Sequence, residues 1–126
     1  MRTLLLLFFL SAFTASALAQ GFDGVAAAIR SGDAGSLAQN ITANVEITIK
    51  DTEASYSKAQ AEQVLRKFFD SNRPRIFTIA HQGTSPEGSK YFIGSLSTSN
   101  GTFRTYVYAK TSGNTLSIQE IRFEAQ

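Results

Sequence analysis

The chain has 126 residues with no cysteine and one histidine, and 12 Lys and Arg against 10 Asp and Glu give a formal charge of +2. Disulfide staples are therefore excluded, and the common zinc ligand sets cannot be assembled from one histidine. A chain this close to neutral also lacks the electrostatic footprint of a nucleic-acid binder.

The first residues read as a targeting signal. Arg2 supplies a positive n-region, Leu4 to Phe13 is a short apolar run, and Ala17-Leu18-Ala19 matches an A-x-A cleavage site. The run falls short of the roughly 20 apolar residues that span a bilayer. No Cys follows the small residues, so a lipoprotein anchor is not expected. Cleavage after Ala19 divides the chain into a signal peptide, residues 1–19, and a single domain, residues 20–126, with no integral membrane segment left. Export to the periplasm or the medium is expected. An oxidising compartment without disulfides leaves the core to carry stability alone.

Phe22, Val25, Ala26 and Ile29 recur at helical spacing and predict a short first helix, closed by Gly32 in the C′ position. Asp33 can cap a second short helix, Ala34 to about Gln39, anchored by Leu37. Val45 to Lys50 alternates strictly and reads as a strand with Val45, Ile47 and Ile49 inward. Asp51 to Ser55 reads as a polar connection. Ser57 and Gln60 then form a capping-box pair at the start of a long amphipathic helix, whose apolar stripe is Ala61, Val64, Leu65, Phe68 and Phe69. Asp70 to Pro74 ends it, because proline has no N–H to donate and turns the preceding residue away from helix.

Four strand regions are expected after Pro74: Arg75 to Gln82, Tyr91 to Ser99, Thr102 to Lys110 and Thr115 to Glu124. Gly83 to Gly88 is a loop by its turn chemistry. A two-residue turn at Asn100-Gly101 would pair Ser99 with Thr102, and a four-residue turn at 111–114 would pair Lys110 with Thr115. One face then collects Phe92, Leu96, Phe103, Val107, Ala109, Leu116 and Ile118. Ile121 and Phe123 fall one step out of phase, and a β-bulge near Gln119-Glu120 would restore them and bend the sheet. Gly94, in mid-strand, marks a second bend or a close backbone approach.

The opposite face would carry Tyr91, Ile93, Arg104, Tyr106 and Tyr108, interspersed with serines and Lys110. A solvated face would ordinarily be more charged, and exposed aromatic clusters tend to mark interfaces. A homodimer or ligand patch on the sheet is one reading of it, an ordinary amphipathic outer face the other.

The order helix, helix, strand, long helix and four curved antiparallel strands resembles the α+β cone of nuclear transport factor 2-like, or cystatin-like, domains. The residues that carry a closer resemblance are Tyr56-Ser57-Lys58-Ala59-Gln60-Ala61-Glu62, Phe68-Phe69, His81-Gln82-Gly83, Tyr91-Phe92-Ile93-Gly94 and Gly101-Thr102-Phe103-Arg104. Together they resemble a domain-of-unknown-function family of secreted bacterial proteins. The resemblance implies a sheet wrapped around the long helix with a pocket between them. It transfers no catalytic residue.

His81 could titrate near neutral pH and act as acid or base, but a lone histidine beside Phe77 and Ile79 reads first as a structural residue. Enzymes of the resembling fold, of the ketosteroid isomerase and polyketide cyclase kinds, use pocket carboxylates or a His–Asp pair. Here the acids sit at helix starts, in loops, or beside Lys58 and Arg66 on the solvated helix face; only Glu120, at the expected bulge, could turn into the pocket. Tyr56, Phe68, Phe69 and His81 are the candidate pocket residues, for a small apolar ligand. Arg66, Lys67, Arg73 and Arg75 form a basic cluster that reads first as a solvated helix end, where cations favour the dipole, and second as a site for an anionic ligand or surface. No Gly-rich phosphate loop or G-x-S-x-G elbow is present, and no cofactor or metal is expected. Two function classes follow: an exported non-catalytic binding or interaction domain, and a small-molecule isomerase, cyclase or dehydratase using His81 with Glu120 or Tyr91. A purely structural envelope role is a third.

Overall fold

The computed structural model describes residues 17–126. The leader expected at Arg2 and Leu4 to Phe13 lies outside these residues, and the expected cut after Ala19 falls in the first turn of the first helix.

Helix α1, Ala17–Ser31, runs longer than its apolar stripe suggested and buries Val25, Ala26, Ala28 and Ile29. Its end is a Schellman arrangement: Gly32 is left-handed (φ 69°), and Asp33 donates its N–H to Ala28 O at 2.8 Å. Asp33 then caps α2, Ala34–Ala38, by accepting the Ser36 N–H at 3.0 Å. Strand β1, Asn44–Ile49, buries Val45 and Ile47 as the alternation requires. Helix α3, Lys58–Ser71, carries the expected capping box, with Ser57 Oγ accepting from Gln60 N and Gln60 Oε1 accepting from Ser57 N. Ala61, Leu65, Phe68 and Phe69 are buried and Val64 partly so. On the solvated side Glu62 pairs with Arg66 at 3.3 Å rather than with Lys58.

Between β1 and α3 the sequence reading needs correcting. Thr52–Ser57 is a strand, β2, joined to β1 by the two-residue turn Lys50-Asp51 and pairing Ile49 with Thr52. It lies at the sheet edge with no residue fully buried, so no apolar alternation marks it. The following strands are β3, Pro74–Thr84, β4, Ser89–Thr98, β5, Gly101–Ser112, and β6, Thr115–Ala125. The sheet has six strands in the order β2-β1-β6-β5-β4-β3, with β1 parallel to β6 and its other neighbours antiparallel.

Both hairpin registers differ from expectation by two residues. Ser99-Asn100 forms the first turn, so that Thr98 faces Gly101 and Phe92 faces Val107. Thr98 fixes this turn: its hydroxyl donates to Gly101 O at 2.7 Å and accepts the Asn100 N–H at 3.1 Å. Gly113-Asn114 forms the second, pairing Ser112 with Thr115. A shift of two preserves which side chains point inward, so the expected core face survives both. The β6 bulge falls where the phase slip demands it. Ala109 pairs with Ile118 and Tyr108 with Glu120, leaving Gln119 as the extra residue and returning Ile121 and Phe123 to the core.

Gly94 is a close approach. A Cβ there would lie 2.6 Å from Thr78 O and 2.8 Å from the Phe77 ring. With the bulges of β3 and β6 it lets the sheet curve around α3. The space between helix and sheet is filled by rings: Phe68 stacks on Phe123 at 4.2 Å and meets Phe69 and Phe103 edge-on at 5.6 and 5.2 Å.

Candidate functional site

On the inner face of the sheet, apolar residues pack against α3; the alternate residues form the outer face. Residues paired across strands share a side, so the register sets out that face in rows. One row reads Gly83, Tyr91, Tyr108 and Glu120; the next reads His81, Ile93, Tyr106 and Arg122; a third reads Thr78, Ser95, Arg104 and Glu124. Tyr91, Ile93, Arg104, Tyr106 and Tyr108, named from sequence as an interface, thus adjoin one another. Glycine at position 83 matters here, because a Cβ would come within 2.7 Å of the Tyr91 ring that lies over it. Tyr91 is 38% exposed, and Ile76, on the same face of edge strand β3, is 64% exposed.

Charge is arranged around these rings. Ile93, Arg104, Tyr106, Glu120, Arg122 and Glu124 line a shallow depression of about 310 Å³. Arg122 forms an ion pair with Glu120, approaches Glu124 at 3.9 Å, and lies 5.8 Å from the Tyr106 ring centroid. The Glu120 hydrogen bond and charge hold the Arg122 guanidinium above its ordinary value. Burial pushes the Tyr106 phenol up, and the Glu120 carboxylate adds to the effect. Tyr108 is anchored by a 3.0 Å hydrogen bond to Ser89. Arg104 sits opposite Glu124 in register, yet it forms no ion pair among the described residues. Sequence reasoning missed Arg122 and Glu124. The signal was available, because a bulge that returns Ile121 and Phe123 inward must send Glu120, Arg122 and Glu124 outward.

His81 does not face the cone. A second bulge, at Ala80, breaks the alternation that put His81 beside Phe77 and Ile79, and turns it outward opposite Ile93, where it is exposed. Glu120 does not enter the cone either, since Gln119 absorbs the bulge. Strands β4 and β5 separate the two, and at an interstrand spacing of about 4.8 Å they stand roughly 14 Å apart. No His–acid pair forms between them.

Of the remaining pocket candidates, Phe69 is core. Tyr56 and Phe68 line a cleft of about 630 Å³ between the β1–β2 turn and the C-terminal half of α3. Arg66, Lys67, Arg73 and Arg75 are exposed, and of these Lys67 reaches that cleft. Among the described residues no three His, Asp or Glu side chains converge as metal ligands, and no helix is long and apolar enough to cross a membrane.

No curated protein matches the chain. Solved structures do. An NTF-2 like protein of unknown function from Silicibacter pomeroyi superposes with a TM-score of 0.64 at 10% identity, over 87% of this chain and 93% of that one. A domain of unknown function with a cystatin-like fold from Nostoc punctiforme superposes with a TM-score of 0.65 at 10% identity, over 88% of this chain and 76% of that one. These likenesses establish the nuclear transport factor 2-like, cystatin-like α+β fold. A nearer likeness is to a DUF4783 family protein from Bacteroides fragilis, 30% identical with a TM-score of 0.76, over 82% of this chain and 96% of that one. The model of the family described as domain of unknown function DUF4783 matches residues 22–124, from the start of the α1 stripe to the end of the outer-face row on β6, and the chain belongs to that family.

Proposed function

We propose that this is an exported, non-catalytic interaction domain that works through the outer face of its sheet and takes a second copy of itself as partner. The observation that carries the reading is the pairing of β5 with β6: Arg104 with Glu124, Tyr106 with Arg122, Tyr108 with Glu120. A two-fold axis running along the strands between β5 and β6 exchanges the members of each pair. It sets Arg104 opposite Glu124 of the second copy, Tyr106 opposite Arg122, and Tyr108 opposite Glu120. Each contact is then a charge pair, a cation on an aromatic face, or a phenol on a carboxylate. An isologous interface needs a self-complementary patch of this kind. Aligned face-to-face packing of two sheets supplies the geometry.

The interior of the cone supports the same reading, because the stacked rings of Phe68 and Phe123 occupy the place a ligand would take. Export rests on the leader and its A-x-A site. Tyr106→Arg, which removes the ring and puts a guanidinium opposite Arg122 of the second copy, tests the reading. The variant is expected to elute as a monomer with its unfolding transition unchanged; an elution volume equal to that of the parent would remove the outer face as the interface.

A further inference from the structure

The cleft between the β1–β2 turn and α3 has a different chemistry from the outer face. Its floor is apolar, made by Ile49, Val64 and Phe68, with the ring of Tyr56 beside them. Lys50 lines it from the turn and Lys67 from the helix, and neither is in an ion pair among the described residues. Asp51 supplies the one carboxylate, so the charge lining the cleft amounts to a single positive excess.

One further observation marks the place. Lys50 holds a left-handed backbone (φ 56°), where Gly or Asn is the ordinary choice, while its N–H donates to Phe123 O at 2.8 Å and fixes the turn to β6. Such a conformation at a non-glycine residue is a recurring feature of ligand clamps.

We infer that this cleft binds a monoanionic amphiphile: a carboxylate head between Lys50 and Lys67 and an apolar body over Val64 and Phe68. Asp51 disfavours doubly charged heads such as phosphate monoesters. The volume of about 630 Å³ lies within the range of small-molecule sites.

Octanoate titrated into the 15N-labelled protein, with neutral 1-octanol as the uncharged comparison, tests the inference. Octanoate is expected to give saturable amide shifts confined to Lys50 through Tyr56 and Val64 through Asn72, with 1-octanol at least about tenfold weaker. Lys67→Glu, at an exposed position, is expected to leave the amide spectrum folded and to weaken octanoate binding by about tenfold or more. Shifts that map to Ile93 and Tyr106 instead would overturn it. So would equal binding of octanoate by parent and Lys67→Glu, or shifts that never saturate.

Discussion

At the scale of single residues, a few side chains decide what the interior can hold. Phe68 is 4% exposed and touches the rings of Phe69, Phe103 and Phe123. Its burial was legible from the helical stripe alone. That its ring fills the cone and leaves only an edge to the cleft beside the β1–β2 turn was not legible, because stripe spacing gives direction and says nothing of how far the facing sheet curves in. Phe68→Ala is expected to destabilise the domain by about 3–5 kcal/mol, read from urea denaturation. A variant with the parent's midpoint would mean that the ring carries no packing. His81 illustrates the opposite limit. Strict alternation placed it beside Phe77 and Ile79, and one extra residue, Ala80, reversed its side. No turn residue or glycine announces that bulge, whereas Ile121 and Phe123 announced the one at Gln119 by being out of phase.

At the scale of elements, caps and turns were more legible than edges. The capping box at Ser57 and the cap at Asp33 follow from local hydrogen-bond chemistry, which a short window of sequence contains in full. The turn at Thr98 also uses local chemistry, but Asn100-Gly101 offered a competing two-residue turn, and the hydroxyl of Thr98 decided between them. Strand β2 was invisible because its partner, not its pattern, makes it a strand. Asp33 supplies a pH prediction. Its carboxyl is held below the ordinary value of 3.8, first by the Ser36 hydroxyl at 2.7 Å and then by the Ser36 N–H. A depressed value in the folded state means stability present above the unfolded value and lost as pH falls through the folded one. Asp33→Asn keeps a capping acceptor without the titration. Its melting temperature is expected to fall less than the parent's between about pH 5 and pH 2. Identical acid limbs would show that the cap carries no charge-dependent stability.

At the scale of the whole molecule, one side of the sheet folds the domain and the other is free to meet a partner. The tyrosine face was legible from alternation, since parity survives a register error of two. Its charge complement was not, because the pairing of Arg104 with Glu124 depends on the true register and on the bulge together. The self-complementary arrangement makes a definite demand on association. The most direct measurement is sedimentation equilibrium over a concentration series for the parent, Arg104→Glu, and the double variant Arg104→Glu with Glu124→Arg. Expected are a dimer for the parent, dissociation for the single variant and restored dimer for the double. A parent that stays monomeric at every concentration, or a single variant that associates as tightly as the parent, would contradict the outer face as the working surface of this protein.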